Sequence, residues 1–491
     1  MKIATRAMPV VLILFLFVIF PVYDLQSAEL SESFCELPKG AIVLVGGSFS
    51  AKNHAIFEKI KILLGQNFPG AKSFKMAVIG SAKKDMASIE DVYFNNDPEE
   101  PEEYPAYKTR IEREGFESSL VPIALDLIST NYNPADDSQV VQAFSDCHVF
   151  FFLGGDQAKI AKCFLREDGS DTLFLKMIRN VYRNGGVVMG TSAGTHIMSN
   201  PMFGWGESYE TLFYNRLEKY SLKDIPSQSE EYGINALKEN NSLILPAPGF
   251  LPAGILTDSH FDARGRLGRL VVGMRDTGCK IGLGIDEGTA IIISKGVGSV
   301  TGENGVFVIN STDSEFSSQA GSGEKNGFSA QKILVSRLSD GDSYDLAIRK
   351  TISGKPVYYS ADNNMATDMI LSGKATCADL QKSFPSDNEC FSTDVFNAIT
   401  FDGSASMSET SSSERKNKYQ ATAALKNLML SGKNSVVSRT SFRYPAFFVS
   451  FSRLPESNFY QDEKGNFCVD SARLDISIDL NNQIPKFFFA K

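Results

Sequence analysis

A chain of 491 residues with 43% hydrophobic and 22% charged side chains has the make-up of an ordinary globular protein, with room for two or three domains and a substantial core. Its formal net charge of -9 comes without a basic block, which argues against nucleic acid as a partner. The four histidines (54, 148, 196 and 260) are scattered and no two of the seven cysteines have Cys-x-x-Cys spacing, which argues against a structural zinc.

At the N-terminus Lys2 and Arg6 precede an unbroken apolar run over 10–20, followed by Pro21 and the small pair Ser27-Ala28. That order of basic region, apolar core and small residues predicts a signal peptide over 1–28 and an exported protein, periplasmic or secreted. The run is shorter than the roughly 20 residues that span a bilayer. An uncleaved N-terminal membrane anchor is the alternative. Export would let cysteines oxidise; Cys377 and Cys390 lie close enough in sequence to pair, with Cys468 as competitor.

Residues 41–45 read as a buried strand ending at Gly46-Gly47, 54–64 as a helix, and 75–79 as a second strand ending at Gly80-Ser81. An acidic, proline-rich stretch at 97–105 reads as a surface loop. A third strand lies within 116–124, a short helix at 137–146, and a fourth strand at 148–153 closing in Gly154-Gly155-Asp156-Gln157. Helices at 157–166 and 171–184 lead to the apolar run 187–189. Apolar strands alternating with helices predict an α/β fold with a mainly parallel sheet flanked by helices. In such sheets the chemistry gathers at the carboxyl ends of the strands, where the glycine turns and Ser192 would meet. The polar stretch 204–240 reads as a surface segment or lid, and 311–330, rich in Ser, Gly and Glu, as a flexible connection. Beyond 353 polar runs such as 404–414 alternate with short apolar stretches at 446–451 and 474–478, the pattern of a small mixed appendage.

The run 187–189 ends in Gly190-Thr191-Ser192-Ala193-Gly194, a G-x-S-x-G turn from strand into helix that lifts a serine hydroxyl into the open. Such a hydroxyl needs a base, itself held by an acid. His260 is the best base, with His196 as competitor; His54 and His148 read as structural. Glu287 follows the next strand and can orient the imidazole, with Asp258 and Asp286 as rivals.

Four blocks, Gly154-Gly155-Asp156-Gln157, Gly190-Thr191-Ser192-Ala193-Gly194, Asp258-Ser259-His260-Phe261 running into Arg264-Gly265-Arg266-Leu267-Gly268-Arg269-Leu270, and Gly284-Ile285-Asp286-Glu287-Gly288-Thr289-Ala290, together resemble the cyanophycinase and peptidase E family of serine peptidases. The resemblance implies a fold like that of class I glutamine amidotransferases over residues 30–352, leaving 353–491 without an assigned role. It implies Ser192 as nucleophile, His260 as base and Glu287 as orienting acid, with backbone amides of Gly155 and Ala193 as oxyanion hole. It further implies a substrate presenting aspartyl groups, gripped by Arg264, Arg266 and Arg269 and lined by Asp156, Gln157, Asp258 and Ser259, with no metal or organic cofactor. Members often form homodimers.

The chain order Ser, His, acid differs from the Ser, acid, His order of α/β-hydrolases, which disfavours an esterase of that type. Ser259 stands where cyanophycinases carry glutamine, which puts strict cyanophycin specificity in question. The competing reading is a non-catalytic binding or regulatory protein on the same scaffold; the presence of all three triad residue types weighs against it.

Overall fold

The computed structural model describes residues 38–49, 53–96, 105–225, 242–320, 326–357, 419–430, 434–439 and 446–479. The expected signal peptide at 1–28, most of the acidic stretch at 97–105, and Cys35, Cys377 and Cys390 fall outside them. Cys147, Cys163, Cys279 and Cys468 are free and buried. No helix among the described residues is long and apolar enough to cross a membrane.

Five strands, β1 (Ala41–Val45), β2 (Phe74–Ile79), β3 (Phe116–Leu120), β4 (Val149–Phe152) and β5 (Val187–Thr191), form a parallel array in the order β3-β2-β4-β5-β1. In register, Val45 pairs with Thr191 and Phe152 with Gly190, so the strand ends line up along one edge. Parallel strands bury both faces, and the alternation of side chains divides the core accordingly. Ile42, Leu44, Phe150, Phe152 and Val188 pack on one side; Val43, Val45, Phe151 and Met189 pack on the other. Helices cover both faces, entered through side-chain caps such as Thr172 on Leu175 N and Asp85 on Ser88 N. Beyond β1 the sheet continues through four antiparallel strands, beginning with Thr289–Ser294 against β1.

A second sheet, also nine-stranded, begins with the parallel pair Ile255–Asp258 and Ile281–Ile285. It continues antiparallel through Val306–Asn310, Asn326–Leu338 and Phe467–Asp479. The described part of the C-terminal region is therefore paired strand by strand into this sheet. Its helix Gln420–Leu430 buries Ala421, Ala424, Leu425, Leu428 and Met429 in the core that also holds Phe261, Phe307 and Leu474.

Two segments differ from their sequence reading. The stretch 204–240 is not all polar surface at its start: the strand Met202–Trp205 of a small three-stranded sheet runs into it, and the helix Ser208–Tyr214 follows. Phe203 and Leu212 are buried there among the leucines of the helix Leu267–Thr277, an apolar demand that the surrounding charges masked. The Ser- and Gly-rich stretch 311–330 is likewise not a loose connection, since Glu315–Ala320 and Asn326–Leu338 pair as antiparallel strands. Its small side chains concealed the inward-facing Phe328 and Ala330.

Candidate active site

Ser192 follows the last residue of β5 with φ 53 and ψ -111, a left-handed backbone that a serine adopts only under constraint. The constraint is a backbone packed too tightly for side chains. A Cβ on Gly190 would come 2.0 Å from the Gly194 carbonyl oxygen, and one on Gly194 2.2 Å from that of Phe152. Ser192 N donates to the Val45 carbonyl at 3.1 Å, and Thr195 Oγ1 donates to the same oxygen at 2.6 Å. The elbow is thus pinned to the end of β1. A Cβ on Gly154 would stand 3.2 Å from Ser192 Cβ, so the Gly154-Gly155 turn at the end of β4 lies against the serine.

The second sheet supplies the other two groups. His260 lies just past the strand Ile255–Asp258, also left-handed at φ 46, and its N–H donates to the Gly46 carbonyl at 2.6 Å. Its ring rests on Gly47, where a Cβ would come within 2.1 Å of Cε1. Nε2 is 2.8 Å from Ser192 Oγ, and Nδ1 is 2.9 Å from Glu287 Oε1. A carboxylate only accepts, so the Nδ1–H donates to Glu287 and Nε2 is left to accept the serine proton. Burial and then the nearby Arg264 charge pull the imidazole down to about 3 against the opposing pull of Glu287, which keeps it neutral as a base requires.

Most of the other sequence-predicted side chains are engaged with the protein itself. Arg269 Nε and Nη2 donate to Asp258 at 2.7 and 2.6 Å, and Arg266 Nη1 reaches the same carboxylate at 3.2 Å. Arg266 also donates to the Ser259 carbonyl at 2.7 Å. These two arginines, expected to grip substrate, are a buried framework around Asp258, because a fully enclosed carboxylate needs cationic donors. Burial alone would raise the Asp258 carboxyl, but Arg269 and Arg266 hold it below its ordinary value. Ser259 Oγ lies 2.9 Å from His196 Nε2, and Ser259 N donates to that nitrogen at 3.2 Å. His196 is therefore turned away from Ser192, and burial lowers it to about 3. Asp156 caps the helix Gln157–Phe164 by accepting from Ala158 N at 2.8 Å, and Gln157 Nε2 donates to the Phe203 and Gly204 carbonyls. Of the rivals to Glu287, Asp258 is taken by arginines and Asp286 accepts from Asp262 N at 2.8 Å.

Sequence reasoning passed over Asn304, whose side-chain N–H donates to the Glu287 carbonyl at 2.7 Å. It also passed over Glu207, a carboxyl raised by burial and opposed there by the charges of Arg266, Arg269 and Arg264. A lone Asn in a turn and a Glu in a charged stretch carry no signal of their own. His54, Glu58 and Glu114 are the one grouping among the described residues with metal-ligating spacing. Both imidazole nitrogens there already face carboxylates and Glu58 pairs with Lys61, an ordinary surface ion-pair network.

No protein-family model matches this chain. It is similar to the cyanophycinase of Nostoc sp., 26% identical over 336 residues that cover 67% of this chain and 93% of that protein. The cyanophycinase of Trichormus variabilis matches to the same extent. Among solved structures, a peptidase from an acI-B1 Actinobacterium is similar at a TM-score of 0.39 and 18% identity, over 60% of this chain and 98% of that one.

Proposed function

Since this chain belongs to the cyanophycinase and peptidase E family and is a serine-type peptidase, we propose that it hydrolyses aspartyl peptide or β-aspartyl isopeptide bonds through Ser192, His260 and Glu287. Ser192 Oγ attacks the carbonyl carbon while His260 Nε2 takes its proton, and the imidazolium is stabilised by Glu287. Amides of Gly155 and Ala193 receive the oxyanion that forms. His260 then returns the proton to the leaving amine, an acyl-enzyme remains on Ser192, and water releases it by the same steps in reverse roles. The apolar, positively flanked N-terminus supports export, so the natural substrate would be met outside the cytoplasm.

One observation carries this reading: a strained serine, a neutral imidazole and a carboxylate lie in sequence at 2.8 and 2.9 Å. A fluorophosphonate should label the protein, and Ser192→Ala should abolish the label. Persistence of the label in that variant would move the nucleophile elsewhere. Release of arginine-bearing dipeptides from cyanophycin, set beside cleavage of aspartyl dipeptides, separates the substrate classes. A folded protein inert to all of them and to the reagent would return the scaffold reading.

A further inference from the structure

Behind the imidazole and the carboxylate lie two more buried acids, Asp262, two residues after His260, and Asp286, one before Glu287. They are joined by the Asp262 N–H to Asp286 Oδ1, while Asp286 Oδ2 is buried without a hydrogen bond. What satisfies Asp262 comes from the far end of the chain. The first turn of the helix Gln420–Leu430 directs Ala421 N at one carboxyl oxygen, 3.0 Å away, and Thr422 N at the other, 2.7 Å away. Tyr419 N donates to the Asp262 carbonyl at 3.3 Å.

The same turn reaches the loop of the acid. Asn304 Nδ2 donates to the Glu287 carbonyl at 2.7 Å and contacts Tyr419 Oη at 3.3 Å. Tyr419 itself is left-handed at φ 64, a conformation held by what it touches. Arg337 ties the arrangement to the second sheet: it donates to Thr422 Oγ1 at 3.2 Å and to the Phe467 carbonyl at 3.0 Å, and stacks on the Phe467 ring at 4.3 Å. Burial raises both carboxyls. The amides at Asp262 oppose that rise, whereas Asp286, beside two other acids, goes well up. The Asp262 carboxyl faces the first-turn N–H groups of the helix, the end of a helix that favours negative charge.

We propose that residues 419–422 act as a clamp that positions the His260 and Glu287 loops, so that the C-terminal region completes the active site. Asp262, Asn304 and Tyr419 are positioning residues in this account: they touch the loops rather than the reacting atoms. The inference rests on the assignment of Ser192, His260 and Glu287 above. The helix does not need the clamp in order to dock, because its apolar face, from Ala421 to Met429, is buried independently. Breaking the polar contacts should therefore loosen the relay while leaving the fold.

Asp262→Asn is the sharpest test. An amide offers one acceptor oxygen and an NH₂, which would confront one of the two helix N–H groups donor to donor. Measured in the full chain as the saturation kinetics of fluorophosphonate labelling, the maximal rate per reactive Ser192 should fall about 10–100-fold, the range expected of a misplaced catalytic group. The half-saturating reagent concentration should stay where it is. Tyr419→Phe, which removes a single hydroxyl, should lower the same rate a few-fold at an unchanged melting temperature, and it decides the matter if Asp262→Asn does not fold. Parental maximal rates per labelled serine, with only the melting temperature or the labelled fraction reduced, would overturn the clamp. Label that survives Ser192→Ala would overturn the underlying assignment instead, so the two failures are told apart.

Discussion

The two sheets contribute to the site in different ways. The parallel sheet holds Ser192 from within itself: a strand, a glycine two residues to either side, and two bonds to Val45 at the end of β1, some 150 residues back in the chain but a neighbouring strand. The second sheet holds His260 and Glu287 on neighbouring parallel strands, but the loops beyond those strands rest on partners more than a hundred residues away. The proposed nucleophile is thus pinned by strands of its own sheet, whereas the His260 loop is in addition held by a helix from the C-terminal region. Gly46 and Gly47 form the seam, since the first accepts from His260 N and the second lies under its ring.

Substitutions in the second sheet and at the seam test the two halves of the site separately. In the second sheet, Glu287→Gln keeps the shape but lets the imidazole take the wrong tautomer, and kcat should fall about 10⁴-fold, as for the equivalent change in other triads. Steady-state kinetics on an aspartyl substrate would check this, and a loss of only a few-fold would remove Glu287 from the relay. At the seam, Gly47→Ala places a methyl where the ring now sits, 2.1 Å from Cε1, on a residue whose φ of 111 already disfavours a side chain. Displacing the ring should cost about 10²-fold in labelling rate. An alanine variant labelled as fast as the parent would mean that the ring has room the packing denies it.

The smallest effect concerns charge alone. Burial and then Arg264 depress His260 to about 3, so the base stays unprotonated well below the ordinary histidine value of 6.5. Removing the positive charge with Arg264→Gln makes the imidazolium less costly and raises that value. The pH at which labelling fails on acidification should therefore move upward, and a profile of labelling rate against pH reads it directly. An acid limb that stays in place would show that burial alone sets the base.

Much of the first sheet was legible because its strands are short apolar runs closed by glycine turns, a pattern that buried parallel strands require. The seryl elbow was legible for a related reason: Gly190 and Gly194 are demanded by backbone contacts two residues from Ser192. The arginines were harder to read. Arg264, Arg266 and Arg269 look alike along the chain, yet two of them are enclosed with Asp258. Only the close packing around that carboxylate separates them. The strand pairing that begins within 311–330 escaped notice because Ser and Gly on an antiparallel pair leave little periodicity.

From its own order of residues, then, this chain determined apolar strands of a parallel sheet, a serine between glycines at a strand end and a histidine and glutamate placed after successive strands, because each of these leaves a short pattern in the sequence. Tertiary structure decided for His260 over His196 and for Glu287 over Asp258 and Asp286, and it alone showed which arginines are enclosed and that Asp262 is held by a helix some 160 residues further on. Those choices turn on distances between segments and on the need of every buried charge for a partner, and neither is written in any short stretch of sequence.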